Sequence, residues 1–342
     1  MPFKTVFILP LLLAGLLACA PNSAPESETI SIYSARHYDS DQMLYDAFTA
    51  KTRIEVRVRE GKSAGLLETM KTEGEKSPAD IIIAADAGSL WRFQQAGLLQ
   101  PVRSDLLEAT IPAVYREADG YWFGVSKRAR IIAYDPTRIE PGLVKSYRAF
   151  TDASVQGEVC IRSSSNIYNL SLMAELIERW GAEEATRWAG ATRAHFARPP
   201  SGGDTAQLES IAAGECAIAL VNHYYWVRLA THASAEKREI AQKVALSFPS
   251  EGMRTHINVT GAGLAAHAPN PAGGRAFLEF LISPEGQALL ITETKEYPIL
   301  ESVARPVGLE GFAPLPDPDI SLSVYGRHQI QAQMIYDQVG WN

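Results

Sequence analysis

The period of the hydrophobic pattern changes repeatedly along the chain, and each change marks an element. Thr29 to Ser34, TISIYS, is short and β-rich and predicts a strand. Met43, Leu44, Ala47 and Phe48 then recur at helical spacing behind Asp39 or Ser40, either of which can cap a helix. Ile54 to Arg59, IEVRVR, alternates strictly and reads as a strand. The stretch SAGLLETMKTEG follows as a helix with Leu66, Leu67 and Met70 inward and Gly74 at its end. Asp80 to Asp86, DIIIAAD, has an unbroken apolar centre, as in a strand buried on both faces, and SLWRFQQAG is another short helix. Strand and helix therefore alternate, which predicts a parallel or mixed sheet with helices on both faces.

The alternation returns further on. EVCIRS reads as a strand, Asn169 to Trp180 as a helix, CAIALV as a strand, and a helix begins around Tyr225. NVTGAGLAAHAPN reads as a strand pair or a bulged strand, and AGGRAFLEFLISPEGQALLI as two amphipathic helices. There is no internal repeat, low-complexity run or long linker. The pattern predicts two α/β units without a Gly/Ser hinge. The β-rich segments WFGVSKRARIIAYD and HINVTGAGLAA can pass between the units, and two crossing strands make a hinge that bends while staying ordered.

At 342 residues, 46% hydrophobic and 21% charged, the chain has ample core for one large or two medium domains. Its net charge of −7 and the absence of a basic stripe argue against a nucleic-acid partner. The N-terminus changes the picture more. Lys4 followed by VFILPLLLAGLLA reads as a secretory signal over residues 1–18, too short for a membrane span, which takes about 20 apolar residues. LLAC at Leu16 to Cys19 resembles a lipobox that makes Cys19 the lipid-carrying terminus. The competing reading is an ordinary cleavage site at ACA, which Pro21 disfavours. Lipidation is the expectation, with 19–27 as a short tether and the lipid as the chain's attachment to a membrane. Two cysteines remain, Cys160 and Cys216, each at the start of an apolar run. In an oxidising compartment they can pair as a disulfide if the runs are neighbouring strands; otherwise they are two buried thiols.

Candidate chemistry collects at the C-terminal ends of the predicted strands, where open α/β sheets bind ligands. SARHYDS supplies His37 and Tyr38, SSSNIYN supplies Tyr168, and NHYY supplies Tyr224 and Tyr225. The chain has 13 tyrosines, so one or two there would be unremarked; four with a histidine ask for a ligand. A phenol is neutral at pH 7, with a pKa near 10. A strongly charged cation reverses that and holds the deprotonated oxygen. Phenolate is a hard anionic donor, so ferric iron is its natural match, whereas thiolates select softer metals. Helix starts near Tyr168 and Tyr225 add positive dipole ends. A trivalent ion with four phenolates carries net negative charge and wants a compensating cation. Arg128 and Arg228 are the candidates, against the bland reading that each is a solvated surface charge.

These residues carry a resemblance. YSARHYDSD, SPADIIIAAD, WFGVSKRARIIAYDP, IRSSSNIYNLSL, GGDTAQLESIAAGECAIALVNHYY and the terminal VGWN make the chain similar to the ferric-ion-binding proteins of bacterial iron ABC importers, the cyanobacterial-like branch in particular. The resemblance runs over nearly the whole chain after the signal. It implies an α/β, two-lobed periplasmic binding protein fold of type II, with mixed sheets flanked by helices and two hinge strands. The expected lobes are 28–126 plus 252–300 and 127–251 plus 301–342. It implies metal ligands at Tyr38, Tyr168, Tyr224 and Tyr225, with His37 a ligand in some members only, and Arg128 and Arg228 lining the metal. It implies ferric iron as cargo, a permease and its ATPase as partners, a monomer in the periplasm, and no enzyme activity. His223 departs from the small hydroxyl residue common in the family, and is expected to be a turned-away neighbour. Asp86 is expected to cap a helix, the alternative being an acidic metal ligand.

Three other readings stay open at this point. The same fold can hold an oxyanion, through RSSSN, or an organic cation, through a tyrosine box. A hydrolase is weakened by the lack of a G-x-S-x-G elbow. A purely structural lipoprotein leaves the four tyrosines without a reason.

Overall fold

The computed structural model describes residues 1–3, 28–36 and 38–342. The signal, tether and lipidation expectations, Cys19 included, lie outside the described residues, as does His37. Ten strands are described: β1 (Thr29–Ser34), β2 (Glu55–Glu60), β3 (Ile81–Ala84), β4 (Leu99–Gln100), β5 (Phe123–Tyr134), β6 (Val159–Cys160), β7 (Ile218–Asn222), β8 (Ala245–Ser247), β9 (His256–Ala265) and β10 (Tyr297–Pro298). They form one connected sheet in the order β2-β1-β3-β9-β5-β7-β6, with β4 on β9 and with β8 and β10 on β5.

Two separate sheets would suit two units; one sheet results because β5 and β9 are long and change partners midway. β5 pairs with β9 from Phe123 to Arg130 and with β7 from Arg130 to Tyr134. β9 pairs with β5 from His256 to Ala262 and with β3 from Gly261 to Leu264. The parallel pairs β1–β2 and β1–β3 lie at one end, and β6–β7 at the other. The stretch from Asn258 is neither a strand pair nor bulged; the register shift falls in β5, between Gly124 and Ser126. Gly261 and Gly263 let β9 lie close to its neighbours, because a Cβ there would come within 2.8 Å of the Phe123 carbonyl oxygen and 2.5 Å of that of Tyr121.

Helices cover both faces. Asp41–Thr52 buries Leu44, Tyr45 and Phe48, but Met43 points to solvent. Phe48 packs edge-on against Phe277 with ring centroids 5.1 Å apart, docking this helix on Pro271–Leu281. Burying a side chain of that kind stabilises by about 1.5–3 kcal/mol. β2 is an edge strand, so its alternating Val56 and Val58 gain little cover. Cys160 and Cys216 form a disulfide with Cα atoms 5.8 Å apart, as neighbouring β6 and β7 permit. No helix among the described residues is long and apolar enough to cross a membrane.

Candidate metal site

Each tyrosine of interest sits just past a strand end. Tyr38 follows β1 in a loop held by Arg36, whose guanidinium donates to both carboxylate oxygens of Asp41 at 2.9 Å. Tyr168 is the second residue of the helix Ile167–Trp180, capped by the Asn166 side chain. Tyr224 and Tyr225 follow β7 in the first turn of His223–Ala230, a helix that begins two residues earlier than the pattern predicts. Three phenols thus ride on helix first turns, where unpaired N–H groups favour negative charge.

The chain brings these side chains together. The Tyr224 hydroxyl donates to that of Tyr168 at 3.2 Å, and the Tyr224 and Tyr225 rings are 4.4 Å apart. The Arg228 guanidinium carbon lies 4.8 Å from the Tyr38 ring centroid, 4.9 Å from that of Tyr224 and 5.5 Å from that of Tyr225. Arg128 is 5.5 Å from the Tyr168 ring centroid. So the paired phenols of NHYY, consecutive positions on one helix turn, pack against each other and share one cation. A cleft of about 530 Å³ opens beside them, lined by Tyr168, Tyr225, Arg162, Asp86, Lys62 and Ser63 among others.

Burial pushes the phenols of Tyr168, Tyr224 and Tyr225 up from the ordinary value; neighbouring tyrosines add to the rise at Tyr168 and Tyr224, and Asp204 and Tyr38 add to it at Tyr225. Without a cation they are neutral. Burial opposes the charge of Arg128, but Glu296 and the nearby phenols outweigh it and the net shift is upward. Arg228 also shifts upward, with Tyr38 and Tyr224 outweighing burial. Arg128 is 1% exposed, so it is no solvated surface charge. It donates one N–H to Glu296 at 3.3 Å, while its Nε and Nη2 are buried without a partner. Among the described residues no three His, Cys, Asp or Glu side chains are grouped to hold a metal.

Asp86 caps the helix Ala87–Gln95 by accepting from the Ser89 N–H at 3.0 Å. Its other oxygen accepts from Ser171 and Asn258, so both are engaged. His223 is buried and turned away: its Nδ1 accepts from the Ala129 N–H at 3.2 Å, which leaves Nε2 to donate to the Lys295 carbonyl at 3.2 Å. Burial lowers its pKa to about 4, so the ring is neutral.

Several residues escape the sequence reading. Asp204 accepts from Arg130 at 2.7 Å, from Arg162 at 3.1 Å and from the Asn222 N–H at 2.7 Å, pinning the end of β7 from which Tyr224 projects. Arg130 also donates to Asn169, next to Tyr168. The available signal was KRAR, two arginines at strand spacing inside an apolar run. Trp341 of VGWN is fully buried and donates to the Arg162 carbonyl at 3.2 Å, supporting the loop that leads to Tyr168. Glu296 joins Arg36 to Arg128 and had no motif to flag it.

Comparison with known proteins agrees in kind. A family model described as bacterial extracellular solute-binding protein matches residues 43–311. The Synechocystis iron uptake protein A1 is 41% identical over 317 residues, 92% of this chain and 88% of that protein. Among solved structures, the Trichodesmium protein in complex with iron and citrate ligands superposes with a TM-score of 0.86 at 44% identity, covering 92% of this chain and all of that one. The ferric binding protein from Campylobacter jejuni gives 0.87 at 35% identity, covering 92% of this chain.

Proposed function

The chain belongs to the bacterial extracellular solute-binding proteins, and from that premise we propose that it captures a ferric ion on four tyrosine phenolates and carries it to an importer. The observation that carries this reading is the meeting of Tyr168 and Tyr224 at 3.2 Å, with Tyr38, Tyr224 and Tyr225 gathered round Arg228. The fold is the two-lobed type II binding-protein arrangement, and the relatives' names, iron uptake and ferric binding, support the cargo. The function is binding and transport, with no chemistry on a substrate.

The lobes are 28–126 plus 252–300 and 127–251 plus 301–342, with β5 and β9 as hinge. Tyr38, and His37 beside it, belong to the first lobe; Tyr168, Tyr224 and Tyr225 belong to the second. Ligands divided in this way make ion capture and lobe closure one event. As the ion binds, four protons leave the phenols, and Arg128 and Arg228 compensate the surplus negative charge. The closed form, a periplasmic monomer anchored through lipidated Cys19, is recognised by a permease and its ATPase. Protonation of the phenolates, or reduction of the ion, weakens the site and releases it.

A second reading has its own support. The unpartnered Nε and Nη2 of Arg128 and Nε of Arg162 suit an oxyanion, bound beside the ion or instead of it. An organic cation is disfavoured, because Arg228 already covers three of the tyrosine ring faces. Titration of the iron-free protein with ferric citrate separates these readings. A visible ferric–phenolate absorption band is expected, and Tyr224→Phe should weaken the band and lower affinity by about tenfold or more. No colour in the wild type would overturn the assignment; an unchanged spectrum in the variant would remove Tyr224 from the ligands.

A further inference from the structure

Three consecutive residues next to the site each grip a different part of it. The helix Pro284–Thr292 ends in a turn where Lys295 has φ of 59°, a left-handed conformation that, among the described non-glycine residues, it shares with Arg53 alone. The turn presents the Thr294 carbonyl to Arg228, which donates from Nε at 3.2 Å and Nη2 at 3.0 Å. It presents the Lys295 carbonyl to His223 Nε2 at 3.2 Å. Next comes Glu296, fully buried, whose carboxylate receives Ser126 Oγ at 2.6 Å, Arg128 at 3.3 Å, Thr260 at 3.3 Å and Arg36 at 3.5 Å. Every tyrosine of the cluster therefore faces an arginine that this turn holds. Arg36 lies 5.0 Å from the Tyr38 ring centroid, Arg128 faces Tyr168, and Arg228 faces Tyr38, Tyr224 and Tyr225.

We propose that the Thr294–Lys295–Glu296 turn is the positioning element of the tyrosine site, and that the Glu296 carboxylate matches the site's charge to a trivalent rather than a divalent ion. This rests on the reading that the four tyrosines bind the metal. The charge inventory gives the reason. A trivalent ion with four phenolates leaves one negative charge. Arg36, Arg128, Arg130, Arg162 and Arg228, the arginines facing these rings, add five positive charges, and the buried carboxylates beside them, Asp41, Asp86, Asp204 and Glu296, return four negative ones, so the assembled site is neutral. A divalent ion would leave it one charge negative. Without Glu296 the neutral assembly is the divalent one. In an enclosed site an unbalanced charge is costly, so one buried carboxylate can set the preference. No hydrogen bond joins Glu296 to Tyr38, Tyr168, Tyr224 or Tyr225, so it acts through Arg36 and Arg128.

The test compares a trivalent with a divalent probe, Ga³⁺ and Mn²⁺, neither of which changes oxidation state during the measurement. Glu296→Gln should lower the ratio of Ga³⁺ to Mn²⁺ affinity by about tenfold or more, and Glu296→Asp, which keeps the charge, should restore most of it. A structural defect alone would weaken both ions alike, so an equal loss, or no loss, overturns the charge-matching role. If Glu296→Gln does not fold, Lys295 carries the test, because replacing it removes no buried charge. Lys295→Val resists the left-handed backbone and should bind Ga³⁺ about fivefold or more weakly than Lys295→Gly, which accepts it. Equal affinities of these two variants overturn the positioning role. Ferric titration of the wild type tells the two levels apart: without a phenolate band the tyrosine assignment falls and takes this proposal with it, whereas a normal band with unaltered variants sinks the turn's role alone.

Discussion

The guanidinium carbon of Arg228 lies 4.8 Å from the ring centroid of Tyr38, although 190 positions separate them in the chain. One comes from the helix after β7 and the other from the loop after β1, so the contact joins opposite ends of the sheet. Arg228→Ala would leave three phenol rings without their shared cation. Cation–π contacts of this partly desolvated kind contribute about 1–2 kcal/mol, so ferric affinity should drop by about tenfold. Arg228→Lys should recover only part of the loss, because an ammonium cannot stack as a planar guanidinium does. Ferric citrate titration of both variants checks this, and wild-type affinity in Arg228→Ala would contradict it.

Reduction of the Cys160–Cys216 bond should be felt as lost stability. The bond closes a loop with a sequence separation of 56, for which chain-entropy arguments give about 4 kcal/mol. It ties the end of β6, from which the chain runs on to Tyr168, to the segment just before β7, which leads to Tyr224. The denaturant midpoint of the protein should fall clearly when a reductant is present, and Cys216→Ser should show the lower midpoint with or without it. Superimposable curves with and without reductant in the wild type would refute the prediction.

Acid should destabilise the protein through Glu175. Its carboxylate is buried against His256 Nδ1 at 2.5 Å, Arg179 at 2.8 Å and the Tyr325 hydroxyl at 3.2 Å. Burial raises its proton affinity, but His256 and Arg179 more than offset this, and the net shift is below the ordinary 4.5. A carboxyl with a lowered folded pKa contributes stability that is fully present above its unfolded value and is lost as pH falls through the folded value. Unfolding free energy should therefore hold near neutral pH and decline below about pH 4.5. Glu175→Gln should flatten that decline, and an equally steep acid slope in the variant would rule Glu175 out as its source.

Much of the fold was legible because it depends on local pattern. DIIIAAD and CAIALV are buried strands, and Leu66, Leu67 and Met70 face inward as their spacing predicts. Met43 was misassigned because helical spacing alone does not fix where an apolar stripe ends. The tyrosines stood out because a rare residue type recurs just past strand ends. Asp204, Arg130 and Glu296 did not, because a buried carboxylate looks in sequence like a solvated one until its cations are found on distant strands. Glu296 reaches Arg36 across 260 positions, and no spacing rule spans that. The joining of all strands into one sheet also went unread, since strand length was visible but a change of partner halfway along is not.

That change of partner bears on how the molecule can be divided. β5 and β9 furnish the middle of the sheet to both halves, so neither half can be cut free with its own strands complete. A fragment that stops before Phe123, or one that starts after Tyr134, carries an open edge where its central neighbour should lie. Chimeras with relatives must therefore exchange both long strands together.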